Sequence, residues 1–100
     1  MGSGTDVNLM PLQRIVITGT KASTTPATPV RLVATNTTCA SLCIKAKSTN
    51  AGTVKLGGTS ATCLFELGKG EAVTIDIDNV YDIYMDVTNS GDGVTFIALN

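Results

Sequence analysis

The chain contains no histidine and no tryptophan, and aromatic residues make up only 4% of it. Without histidine, the commonest general base and the commonest metal ligand are both absent. A Ser-His-Asp or Cys-His arrangement therefore cannot be assembled. Charge is also sparse, at 15% of residues with a net charge of -1, against about 25% in an ordinary soluble domain. The seven Lys and Arg residues form no basic run and no aromatic ladder accompanies them, which argues against nucleic acid as a partner. No apolar run reaches the length of a membrane span. The opening MGSGTDVNLMPLQR shows no basic segment followed by an apolar core. The expectation is a protein made and used in a cytoplasm, with no membrane partner. No GxxxxGK[ST] or GxGxxG stretch is present to cradle a phosphate, and no cofactor is expected.

Three cysteines, Cys39, Cys43 and Cys63, are too few and too odd in number for a disulfide framework. They read as small buried apolar side chains. A bridge from Cys63 to Cys39 or to Cys43 is an alternative, and a zinc site would need an acid as its fourth ligand.

What the sequence does have is threonine, valine and isoleucine in short alternating runs, separated by Gly, Asn, Ser and Asp. β-Branched residues pack well on a pleated surface, and the intervening residues are those of tight turns. With 100 residues, one domain is expected, able to bury roughly 64% of its extended-chain surface.

Residues 1–12 lack alternation and read as an N-terminal arm, leaving 13–100 as the folded domain. The first strand spans Gln13 to Thr18, with Ile15 and Ile17 on one face and Val16 and Thr18 on the other. Apolar residues on both faces imply that this strand is covered twice, once by a partner. Leu9, Met10, Leu12, Ile15, Val16 and Ile17 are thus candidate interface residues. Further strands are predicted at 30–35, 42–47, 54–56, 63–67, 73–77, 80–87 and 94–99. Residues 41–57 read as a hairpin turning at Asn50-Ala51-Gly52, and Asn89 to Gly93 as a second hairpin turn. Tyr81 and Tyr84 fall on opposite faces by strand parity. One is expected in the core, and an exposed one, such as Tyr84, would serve as an interface anchor. Eight evenly spaced short antiparallel strands predict an all-β fold, a β-sandwich of jelly-roll type.

The acidic residues Asp76, Asp78, Asp82, Asp86 and Asp92 gather late in the chain. A solvated sheet face explains them best. A Ca²⁺ site at Asp76, Asp78 and Asp82, or a pair of glycosidase carboxylates, would require them to converge.

One further pattern stands out. Val30, Leu32, Cys39, Ile44, Lys45, Ala46, Asn50, Gly52, Val54 and Gly57 are followed by Leu67, Gly70, Glu71, Asp76, Asp78, Asn79, Tyr84, Gly91, Asp92 and Gly93. Over residues 15–100 this arrangement resembles small virion proteins of tailed bacteriophages. The resemblance implies a capsid decoration (cement) protein on the virion surface, assembled in the host cytoplasm. It would act as a homotrimer that clamps neighbouring copies of the major capsid protein, with no catalytic residues. The alternative is a tail-fibre, head-fibre or spike module that reads a host glycan or protein through the loops 19–28 and 57–62.

Overall fold

The computed structural model describes residues 15–100. Leu9, Met10 and Leu12 lie outside the described residues. Among these residues eight strands follow in order: β1 Val16–Ala22, β2 Val30–Arg31, β3 Ser41–Ala46, β4 Val54–Gly57, β5 Phe65–Leu67, β6 Ala72–Ile75, β7 Tyr84–Val87 and β8 Gly93–Leu99. One 3₁₀ turn, Val80–Asp82, precedes β7.

The strands form two four-stranded antiparallel sheets, ordered β1-β8-β3-β6 and β2-β7-β4-β5. The first strand pairs with the last, the second with the seventh, the third with the sixth and the fourth with the fifth. A long antiparallel ribbon has been coiled on itself, which adds the contacts β3·β8 and β4·β7. This is the jelly-roll topology of a β-sandwich.

The core follows from strand parity. Leu42, Ile44 and Ala46 of β3, and Val94, Phe96 and Ala98 of β8, point inward from one sheet; Val54, Leu56, Met85 and Val87 point inward from the other. Leu32, Cys39, Val80 and Ile83 close one end. Where the Phe96 ring crosses its paired residue Gly19, a β-carbon on Gly19 would come within 2.5 Å of the ring. Only glycine lets the aromatic lie flat over the edge strand there.

Four local expectations need correction. Neither predicted hairpin exists: β3 and β4 lie in different sheets, as do β7 and β8. Turn chemistry is local, but the coiling of the ribbon decides whether a turn closes a hairpin or carries the chain across the sandwich. The first strand runs on to Ala22, because β8 supplies partners as far as Gly93. The second is only two residues long. Finally, Asn79 breaks the predicted strand 80–87. Its side-chain oxygen accepts from the Thr37 and Tyr81 N–H groups, at 2.9 and 3.0 Å, and caps the 3₁₀ turn.

At the opposite end a buried polar latch joins the sheets. The Asp92 carboxylate is 5% exposed. It accepts from the Ala51 and Gly52 N–H groups at 2.8 and 2.9 Å. The Asn50 side chain, also buried, donates to the Gly93 carbonyl and accepts from the Gly93 N–H, both at 2.9 Å. A side chain on Gly93 would strike the Lys21 carbonyl. The Asn-Gly and Gly-Asp-Gly elements of the sequence pattern are therefore two halves of one structural clamp.

Candidate functional site

Two exposed apolar clusters stand out among the described residues. The first lies on the outer face of the β1-β8-β3-β6 sheet. The register sets Val16, Leu99 and Ser41 side by side, and Thr18, Ile97 and Cys43 in the next row. Val16, Ile97 and Leu99 are 59%, 49% and 37% exposed. With Cys43 they line a shallow groove of about 220 Å³. The second cluster lies at the far edge of the sandwich. Leu64 and Phe65 are 77% and 54% exposed. Phe65 follows Leu56 across the β4·β5 pair. It overhangs a small apolar groove between the sheets, lined also by Ile75 and Ile83.

The predicted interface residues are split by this arrangement. Ile15 and Val16 are exposed, whereas Ile17 turns inward and packs against the core. Tyr84 is half-buried beneath Arg31, whose guanidinium carbon lies 3.9 Å from the Tyr81 ring centre and 4.5 Å from that of Tyr84. Arg31 also donates from Nη1 to the Tyr81 carbonyl at 2.6 Å. Neither tyrosine enters the core: Tyr84 lies opposite the buried Met85 and Val87, as alternation predicts, and the 3₁₀ turn takes Tyr81 out of the strand. Both are engaged with the cation.

Ile97, Leu99, Leu64 and Phe65 were missed. The signal for Ile97 and Leu99 was present, since β8, like β1, is apolar on both faces. Phe65 shares the inward phase of Leu67, but an edge strand leaves one flank uncovered, and no periodicity reports that.

Some hydroxyls of the loops 19–28 and 57–62 are engaged within the protein. Thr59 and Thr62 hydrogen-bond to each other at 2.8 Å. The Thr25 N–H donates to the Ser23 hydroxyl at 3.3 Å. Ser90 donates to the Thr24 carbonyl at 3.1 Å. Among the described residues, no group of three or more His, Cys, Asp or Glu is placed to hold a metal ion, and no helix is long and apolar enough to cross a membrane.

All three cysteines are free thiols, and Cys39 and Cys63 are buried. No bridge joins Cys63 to either of the others. Cys39 donates to the Ile77 carbonyl at 3.1 Å. Burial, reinforced by the charge of Asp78, pushes the Cys39 thiol above its ordinary pKa; burial and Asp86 do the same for Cys63. Folded protein therefore holds these two protons more tightly than unfolded chain. Their contribution to stability is intact below the ordinary thiol range and is lost as pH rises through it, because the unfolded thiols ionise first. Urea midpoints should fall above neutral pH, and less steeply in a Cys39→Ala/Cys63→Ala variant. Under native conditions Cys43 should react first with a maleimide, with the other two waiting on unfolding.

Comparison with protein-family models, with curated proteins and with solved structures finds no match to this chain.

Proposed function

We propose that this chain is a structural protein of a tailed-phage virion, a decoration protein that self-associates and cements neighbouring copies of the major capsid protein. The trimer is the state that the sequence resemblance implies. One observation carries the reading: a rigid coiled sandwich presents two separate apolar clusters, one on the outer face near β1 and one at the opposite edge at β5. An adhesive that joins its own copies and also grips a shell needs two such surfaces. Low charge removes the self-repulsion that would oppose close packing on a lattice. Symmetry then multiplies modest individual contacts.

The test is co-sedimentation of the purified chain with expanded shells of the parent phage. The wild type should pellet with shells at a fixed stoichiometry. Truncating Leu64 and Phe65 together to Ser should weaken binding by tenfold or more, since each tenfold is about 1.4 kcal/mol and each side chain buries about 1.5–3 kcal/mol of apolar surface. A wild-type chain that stays in the supernatant sinks the proposal.

A further inference from the structure

The outer face of the β1-β8-β3-β6 sheet carries more order than an apolar patch alone. Along the line of β3 lie three successive depressions. The first, just before β3 begins, is lined by Asp76 and Asp78 together with Cys39, Ala40 and Ile77. The middle one is the groove of Val16, Cys43, Ile97 and Leu99. The last is lined by Lys45 and Lys47 with Thr95. Within the strands, Lys45 sits opposite Ala72 at one end of β6, while Asp76 follows Ile75 at the other. The face thus reads acid, apolar, base from end to end, with threonines between.

We propose that this face docks against the same face of a second copy, related to it by a two-fold axis running across the strands. Such a pattern is complementary to itself. Turning one copy over end to end sets the acidic end of each against the basic end of the other and lays apolar groove on apolar groove. An isologous contact requires this self-complementarity, whereas an unrelated partner would give no reason for opposite charges at the two ends of one strip. Ile97 and Cys43 occupy the same central row, so each lies close to its own counterpart across the axis. This deepens the adhesive reading by assigning one of its two surfaces to a two-fold dimer, in place of the trimer that the sequence resemblance implies, and it rests on that reading only for its biological purpose.

The experiment uses the full chain in sedimentation velocity and light scattering. Wild type should associate in the micromolar range, more weakly at high salt because the end contacts are ionic. Lys45→Glu/Lys47→Glu and Asp76→Lys/Asp78→Lys should each associate at least tenfold more weakly alone. Mixed together they should recover association as a heterodimer, because the all-acidic strip now meets the all-basic one. Cys43 should react with maleimide more slowly in concentrated wild type than in either variant. Circular dichroism and urea midpoints of both variants should match wild type. Ile97→Ala gives a second, charge-neutral route to the same weakening. A wild type that remains monomeric at high micromolar concentration, or that assembles into trimers, overturns the proposal. So does a mixture no better associated than its components, or association indifferent to all three variants. Shell binding is measured separately, so a chain that dimerises through this face yet ignores shells retires the capsid reading alone. A chain that binds shells as a monomer retires this inference alone.

Discussion

Asp92→Ala should lower stability by about 3–5 kcal/mol, the largest loss expected from any single polar substitution among the described residues. Asp92 is almost wholly buried and accepts two backbone N–H groups from the β3–β4 turn. Hydrogen bonds to a charged acceptor contribute about 1.5–3 kcal/mol each, and an orphaned buried donor costs about 1–3 kcal/mol. The substitution leaves the N–H groups of Ala51 and Gly52 without their acceptor. It also loosens the loop that carries Gly93, whose N–H and carbonyl bind Asn50. For a domain of this size each kcal/mol shifts Tm by roughly 4–8 °C, so melting should fall by at least about 12 °C. Asp92→Asn keeps the shape and one acceptor oxygen and should lose less. Asp78→Ala, at an exposed carboxylate, should stay within about 0.5 kcal/mol of wild type. Thermal and urea unfolding followed by circular dichroism would check all three. If Asp92→Ala melted with wild type, the latch would not be holding the sheets.

A comparable loss, about 3–5 kcal/mol, is expected of Leu42→Ala, and its contrast with Ile97→Ala tests the register of the first sheet. Leu42 has no exposed surface and faces the opposite sheet from β3. Its removal costs the transfer of the deleted groups and also leaves a cavity in a close-packed layer. Ile97 is in β8, one strand away, paired with Cys43 beside Leu42, but on the outer face and 49% exposed. Its truncation should change stability by no more than about 1 kcal/mol while weakening self-association. A one-residue slip would exchange the two outcomes, because it moves every side chain to the other face. Equal destabilisation by both variants would mean that the outer face is covered within the monomer.

Much of this architecture was legible in the chain itself. The alternation of Leu42, Ile44 and Ala46 with Cys43 and Lys45 fixed which face of β3 is buried. The same reasoning placed Val94, Phe96 and Ala98 inside. The eight strands of the described residues fall within or beside the predicted alternating runs, though β1 runs further, β2 stops sooner and β7 begins only at Tyr84. What failed were local features set by particular residues distant in sequence. Asn50-Ala51-Gly52 has the composition of a hairpin turn, yet it is held by Asp92 from more than forty residues away. Parity left open which of Tyr81 and Tyr84 is buried, and Asn79, capping a turn against Thr37, takes Tyr81 out of the strand.

The candidate surfaces divide in the same way. That β1 and β8 are apolar on both faces is visible in the residues, and it led to the expectation of a cover on the outer side. That these strands are neighbours, so that Val16, Ile97 and Leu99 merge into one patch, comes only from the pairing of the first strand with the last. Alternation therefore determined which side of each strand turns away from water, because that choice depends on the near neighbours along the chain. The coiling of the ribbon decided which strands lie together. It also decided which turns cross between sheets and which edge leaves Phe65 uncovered, because those outcomes depend on burying all the strand faces at once.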